Sequence, residues 1–477
     1  MRSSSRATRL LLLVLAALSL AGGLVAAPAA AQEGAVGDAV VAFVDTGINP
    51  YHQVFRDNSP RAYQHPSTYI PGYPEDAIAL DVTLTQTDWA KAVRADCELW
   101  KTVVPNQLYW FPGTKIVGAI TTKPTLSPNC SGTTASGFIG LLDLNGHGTM
   151  VASRAAANAQ WGACRQCRVV AIQYPNVASP ANRAESTDPS IRAIEWGAAN
   201  AGWIDAQSNS WGPIVPGWEP TGANGMFVSD PSLVKAVESV SLRQAAFWAS
   251  GNGAAFRGGV LGHPTLATPH LTPSAISVGG HDSGYVQTWP GFPAHLVSDS
   301  CWSWAANHKH TTTAGEKVGG GTSAATPFVA GGAGQILVDA RTILGDTRTG
   351  RRGEIMAEGP AGLVASGPLA DGVFTFAEWK RVLYTTATPR PARQFEDGPP
   401  CSLTVLSDPT PVQWTSVPAG YPEFLHIGYG AVDRPSIELA GKVLRGEAAM
   451  PTRAATDQYF ALDNEVRKAS YSVFKGL

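Results

Sequence analysis

The sequence predicts an α/β fold built on a parallel sheet, and three observations carry the prediction. Short apolar runs rich in β-branched residues recur along the chain, as buried parallel strands require. Stretches with helical spacing alternate with them, two opened by an Asp-Pro pair. An acid, a histidine and a serine fall where those runs end or those helices begin, which is where open α/β sheets carry chemistry. With 477 residues, 44% hydrophobic and 15% charged, the chain has material for a large core.

The chain opens on a targeting segment. Arg2, Arg6 and Arg9 precede an apolar run from Leu10 to about Ala27, and Ala29-Ala30-Ala31 reads as a cleavage site before Gln32. Gly22-Gly23 and Pro28 favour cleavage over a retained anchor. Residues 1–31 are therefore expected to be a removed signal peptide, residues 32–450 the folded domain and residues 451–477 a tail. No later stretch is long and apolar enough to span a bilayer, so a secreted monomer without membrane attachment is expected. The formal net charge of -2 offers no field for nucleic acid.

Ala39-Val40-Val41-Ala42-Phe43-Val44 reads as the first buried strand, ending at Asp45-Thr46-Gly47. Asp before Gly is a common turn former; an acid at the carboxyl edge of such a strand is also placed for catalysis. The Asp-Thr-Gly of aspartic proteases needs a second copy, and none is present. Residues from about 50 to 140 are aromatic, Pro-rich and irregular, and read as a long surface insertion with one helix near 87–94. Leu144-Asn145-Gly146-His147-Gly148-Thr149-Met150-Val151-Ala152-Ser153 then sets a histidine between two glycines at the start of an Ala-rich helix. At that position the helix dipole favours a neutral imidazole, which suits a general base.

Residues 167–173 form the next strand. Asp188-Pro189 opens a helix carrying Ile191, Ile194, Trp196 and Ala198 on one side. Residues 203–209 are a strand leading into Ser210-Trp211-Gly212. Asp230-Pro231 opens a second helix with Leu233, Val234, Val237 and Val240 in register. Residues 245–249 make a strand with Ser250-Gly251-Asn252-Gly253 at its end, and residues 275–280 make one more. Gly319-Gly320-Gly321 then deliver the chain to Ser323, and the Ala-rich run after it reads as a buried helix. Unpaired N–H groups at that helix start favour a developing negative charge, although an ordinary N-cap serine fits the same local pattern. An exposed loop at 345–372, a helix at 376–384 and a last amphipathic helix near 435–445 complete the reading.

Export makes the six cysteines candidates for disulfides. Cys164-Arg165-Gln166-Cys167, with no second CxxC, reads as a local staple rather than a zinc half-site or redox pair. Cys97–Cys130 and Cys301–Cys401 complete the expected pairing.

The chain order Asp45, His147, Ser323 is one of those known for serine hydrolase triads. At these residues the sequence resembles the subtilisin-like serine peptidases, or subtilases, of the S8 family. Val44-Asp45-Thr46-Gly47 is similar to the family's Asp motif. Asn145-Gly146-His147-Gly148-Thr149-Met150-Val151-Ala152 is similar to its His motif, and Gly321-Thr322-Ser323-Ala324-Ala325-Thr326-Pro327-Phe328-Val329-Ala330-Gly331 to its Ser motif. Ala249-Ser250-Gly251-Asn252 resembles the segment that carries the oxyanion asparagine.

The resemblance implies a subtilisin-like three-layer fold, with a mainly parallel central sheet flanked by helices. It implies a secreted endopeptidase that hydrolyses peptide bonds through an acyl-enzyme. Ser323 would be the nucleophile, His147 the general base and acid, and Asp45 its orienting partner. Asn252 and the Ser323 N–H would bind the oxyanion. Ser210, Trp211 and Gly212 match the family's cleft strand, which pairs with an extended peptide. Ala249, Ser250 and Gly251 would form the opposite wall, and Gly262 the pocket floor; that floor suggests a large apolar side chain rather than a basic one.

The resemblance has limits. The segment before Asp45 is short for the family's folding propeptide, and the Asp–His insertion is unusually long. No cofactor is called for: the family's tight calcium loop is not visible after the His helix, and His308-Lys309-His310 reads as an exposed loop rather than a metal site. A second reading is a catalytically silent subtilase-fold module that binds peptides or proteins. Ester hydrolysis on the same triad lacks the G-x-S-x-G elbow.

Overall fold

The apolar runs become strands because each can bury both faces. A computed structural model describes residues 37–86, 88–122, 140–143, 145–159, 162–174, 188–211, 231–249, 275–281, 286–287, 296–299, 303–305, 316–318, 322–344, 374–389, 392–393 and 429–452. The chain divides into Met1–Val36 and Gly37–Leu477, and all described residues belong to the second part. The expected signal peptide and the loop at 345–372 lie outside the described residues.

The strands are β1 (Val40–Asp45), β2 (Ile78–Ala79), β3 (Tyr109–Trp110), β4 (Ile116–Thr121), β5 (Arg168–Gln173), β6 (Ala206–Asn209), β7 (Ala245–Ala249), β8 (Ile276–His281), β9 (Val286–Gln287) and β10 (Leu296–Asp299), followed by β11 (Ser303–Ala305), β12 (Glu316–Val318) and β13 (Ala392–Arg393). Among the described residues, nine of these form one sheet in the order β10-β8-β7-β6-β1-β5-β4-β3-β2. Neighbours in it run parallel except β3 and β4. Asp45 at the end of β1 is in register with Gln173 at the end of β5.

Side chains alternate across a strand. In β1, Val41 and Phe43 join one apolar cluster, while Val40, Ala42 and Val44 join another. In β7, Ala245 and Phe247 part from Ala246 and Trp248 in the same way. The first cluster is covered by helices His147–Ala156 and Thr322–Leu344. On the opposite face lie helices Asp188–Ala199, through Ala193 and Ile194, and Pro231–Ser241, through Val237 and Val240. These are the expected three layers. Apolar surface buried this way contributes about 25 cal/mol per Å², so both faces of the sheet share in holding it.

The His147 and Ser323 helices touch closely. A Cβ at Gly331 would lie 2.6 Å from the Ala155 carbonyl oxygen, so only glycine permits the approach. Two further helices, Phe376–Thr386 and Arg434–Leu444, start with reciprocal caps, Thr375 with Glu378 and Asp433 with Ser436.

The segment after residue 50 corrects the sequence reading. It is not irregular elaboration: β4 pairs with β5 inside the sheet, and β3 and β2 extend that edge. Its helix spans Trp89–Ala95, capped by the Asp88 carboxylate accepting from Lys91 N at 2.8 Å, and Cys97–Trp100 follows. Tyr51 anchors this segment: its hydroxyl donates to Asp96 at 2.8 Å and accepts from Trp100 Nε1 at 2.9 Å. The Cys164–Cys167 bridge is present. Cys97 is also disulfide-bonded, while Cys130, Cys301 and Cys401 lie outside the described residues. No described helix is long and apolar enough to cross a membrane.

Candidate active site

The site is assembled where β1 ends and the His147 helix begins. Gly47 and Gly148 bring the two segments together. Gly47 has φ +119°, which favours glycine, and a Cβ on Gly148 would lie 2.2 Å from the Gly47 carbonyl oxygen. The backbones therefore touch, and the side chains of Asp45 and His147 must meet beside that contact. His147 Nδ1 lies 2.9 Å and 3.0 Å from the two Asp45 carboxylate oxygens. A carboxylate only accepts, so the shared proton sits on Nδ1 and the neutral ring carries its lone pair at Nε2. Asp45 is 2% exposed, whereas the His147 side chain is 32% exposed.

Asp143 and Thr46, which sequence reasoning did not single out, fix this pair in place. The wholly buried Asp143 carboxylate accepts from Thr46 Oγ1 (2.7 Å), Asn145 N (3.1 Å), Gly146 N (2.7 Å) and Thr149 N (2.7 Å). It thus caps the free N–H groups that open the His147 helix. Thr46 Oγ1 accepts in turn from Gly148 N at 2.8 Å, and Thr46 N donates to Asp45 Oδ1 at 2.7 Å. The signal in the sequence was an acid four residues before the histidine, but its partner Thr46 is 97 residues away.

The electrostatics also correct an expectation. The helix start was expected to favour a neutral imidazole. Burial does pull the His147 pKa down, but the Asp45 charge and hydrogen bond, with the Asp143 charge behind them, raise it above its ordinary value. Two nearby carboxylates act on the ring in the direction opposite to the partial charge at the helix end. Burial pushes the Asp143 carboxyl above its ordinary range, opposed by its hydrogen bonds.

Ser323 is half-buried, in the first turn of the helix Thr322–Leu344. Its hydroxyl donates to the Ser210 carbonyl oxygen at 3.0 Å, and the Ser210 hydroxyl donates to the Ser323 carbonyl oxygen at 3.0 Å. Ser210 follows β6 directly, so the end of that strand lies against the serine-bearing turn. Among the described residues no hydrogen bond joins Ser323 to His147. Arg154 of the His147 helix links the two helices instead, with Nε donating to the Ala324 carbonyl oxygen at 3.3 Å.

An aromatic row that the sequence reading did not anticipate lies beside the site. Tyr174 follows Gln173 and donates its backbone N–H to the Asp45 carbonyl oxygen at 3.1 Å. Its ring lies 5.1 Å from that of Trp211, which lies 5.4 Å from Trp248. Ala249 ends β7 and is buried. Gly212, Ser250, Gly251, Asn252 and Gly262 lie outside the described residues. No group of three or more His, Cys, Asp or Glu side chains placed to hold a metal ion occurs among the described residues.

The fold is that of a three-layer α/β protein with a mainly parallel sheet. The chain belongs to the subtilase family, whose model matches residues 37–347. Similar solved structures include a cold adapted subtilisin-like serine proteinase, at 18% identity over 66% of this chain and 86% of that one, with a TM-score of 0.35. The epidermin leader peptide processing serine protease EpiP from Staphylococcus aureus is 12% identical over 86% of this chain and 76% of that one, with a TM-score of 0.44. The self-cleaved protease domain of PatA is 18% identical over 86% and 97%, with a TM-score of 0.40. No curated protein sequence matches the chain.

Proposed function

We propose that the protein is a secreted serine endopeptidase in which Ser323, His147 and Asp45 form the triad. The observation that carries this reading is the buried Asp45 carboxylate, with both oxygens within 3.0 Å of Nδ1 of a ring that stays partly open. Such a partner holds one tautomer and stabilises the imidazolium. In the proposed reaction the Ser323 hydroxyl turns from Ser210 to His147 Nε2 and attacks the scissile carbonyl. The proton passes to Nε2 and then to the leaving amine, and the acyl-enzyme forms. Water, deprotonated by the same imidazole, hydrolyses it and regenerates the serine.

Asn252 and the Ser323 N–H are the proposed oxyanion donors. Ser210, Trp211 and Gly212 on one side, and Ala249, Ser250 and Gly251 on the other, are proposed to hold the peptide, with Gly262 at the pocket floor. The ring contact of Tyr174 with Trp211 beside the Asp45 strand end supports apolar rather than basic side chains. The proposed chemistry needs no cofactor. Residues 1–31 are proposed to direct export, which N-terminal sequencing of the secreted protein checks.

A second reading is a silent peptide-binding module. One observation favours it: the Ser323 hydroxyl bonds to Ser210 and not to His147. Labelling by a fluorophosphonate separates the two. The peptidase reading expects covalent labelling at Ser323, absent in Ser323→Ala; equal labelling of both proteins, or of neither, leaves the binding module.

A further inference from the structure

We propose that the Ser210 side chain is a positioning residue for Ser323, holding the main-chain carbonyl that Pro327 leaves without a helical donor. The proposal rests on Ser323 being the nucleophile and adds a role that main-chain pairing with a peptide does not include.

In an α-helix the carbonyl of residue i accepts from the N–H of residue i+4. Ser323 lies in the first turn of its helix, and the residue four positions on is Pro327. Proline has no N–H, and its ring presses on the carbonyl four residues back. The Ser323 carbonyl is therefore deprived of its helical partner at the turn that carries the nucleophile. A carbonyl left bare away from water loses its hydration without compensation, so another donor is needed.

Ser210 supplies it. Its hydroxyl donates to the Ser323 carbonyl oxygen at 3.0 Å. Ser210 is 3% exposed and directly follows Asn209, the last residue of β6, so the donor is carried by the sheet. The neighbouring carbonyls are also held by side chains: Thr326 Oγ1 donates to the Thr322 oxygen at 2.7 Å and Arg154 Nε to the Ala324 oxygen at 3.3 Å. Pinning the Ser323 peptide fixes the direction of its Cα–Cβ bond, and hence where the hydroxyl swings. The returning bond, from the Ser323 hydroxyl to the Ser210 carbonyl, closes a ring between strand end and helix start.

The spacing also supplies the test. Pro327→Ala returns a main-chain N–H at the position from which the Ser323 carbonyl would normally be bonded. Ser210→Ala should therefore matter when residue 327 is proline and matter little when it is alanine. The readout is the rate at which a small alkyl fluorophosphonate labels Ser323 in the full chain, because that probe needs no peptide subsite. Ser210→Ala is expected to slow labelling about 10- to 100-fold, whereas Ser210→Thr, which keeps the hydroxyl, stays close to wild type. The double variant is expected to label at the rate of Pro327→Ala alone. With a peptide substrate the Ser210→Ala loss falls on kcat more than on KM. If Ser210→Ala unfolds, recovery of the fold by Pro327→Ala supports the same coupling.

A wild-type labelling rate in Ser210→Ala overturns the proposal. So does an equal slowing in both backgrounds, or a loss of fold that Pro327→Ala does not restore. Wild-type protein labelled no more than Ser323→Ala overturns the nucleophile reading itself, an outcome distinct from the others.

Discussion

At the carboxyl edge of the sheet, Asp45 and Asp143 meet an imidazole, a hydroxyl and main-chain N–H groups. At the amino edge, Asp38, Asp57 and Asp205 meet guanidinium groups. Arg168 Nε bonds Asp38 at 2.6 Å, Arg168 also bonds Asp57, and Arg61 bonds Asp38. Arg341 grips Asp205 through both nitrogens, at 2.9 and 2.6 Å, while Val40 N donates to the same carboxylate at 2.9 Å. Arginine does not change charge at ordinary pH; histidine does. The amino edge is a fixed set of buried charges that holds β1, β6 and the Ser323 helix in register. The carboxyl edge keeps its charge adjustable, and its histidine partly open. One sheet thus separates fixed charge pairs from a titratable, partly open group, and each edge predicts a different failure when it is cut.

The sharpest test of that separation is Asp45→Asn. It is expected to lower kcat about 10⁴-fold while the protein still unfolds cooperatively, as peptide hydrolysis and urea denaturation measure. Asp205→Ala should do the reverse. It removes the carboxylate that holds the buried Arg341 guanidinium, at a cost of about 3–5 kcal/mol in stability, with kcat per active site, set by active-site titration, unchanged. A loss of turnover in Asp205→Ala without loss of stability would break the comparison.

His52, on the segment that runs from one edge toward the other, predicts a smaller effect. It is 1% exposed, its Nδ1 accepts from Val54 N at 3.3 Å, and its Nε2 has no partner among the described residues. Burial, with the nearby Arg56 charge, pushes its pKa down to about 4. The unfolded chain takes up this proton near pH 6.5, the folded one only near pH 4. Stability is therefore full above about pH 6.5 and falls by about 3 kcal/mol as pH drops toward 4. His52→Asn is expected to flatten that slope in urea denaturation run as a pH series.

The last test concerns His147, faced by Asp45 and Asp143. With His147 as the proposed base, its raised pKa is expected to make kcat/KM fall with decreasing pH from a point above the ordinary histidine value, because the base must be neutral. Asp143→Asn removes one of the two charges and is expected to move that limb toward lower pH. The stability linked to the same group runs the other way: it is fully present below about pH 6.5 and lost as pH rises through the folded pKa. A pH–rate profile that Asp143→Asn leaves in place would remove Asp143 from the electrostatics of the site.

Strands β1, β5, β7 and β8 and the His147 and Ser323 helices were legible because their signals are local: unbroken apolar runs, glycine at the turns, alanine spacing in the helices. The strand β4 was not. Ile116-Val117-Gly118-Ala119-Ile120 is interrupted by glycine within an aromatic, Pro-rich stretch, and its place in the sheet depends on a partner more than 40 residues on. Thr46 and Asp143 were not singled out, because nothing nearby in the chain shows that they bond to each other. The raised pKa of His147 was not legible because Asp45 lies 102 residues away in the chain from the helix that His147 opens.

By itself, then, the sequence determined the layered α/β class, the order of Asp45, His147 and Ser323, and the carbonyl that Pro327 strips of its donor. Each follows from residue type and spacing within a few turns of chain. Only the tertiary structure decided that Asp45 reaches Nδ1 across 102 residues, that Asp143 stands behind them, and that Ser210 answers the Ser323 carbonyl across 113. Those are contacts between distant segments, and their energies depend on burial and on distances that no local pattern carries.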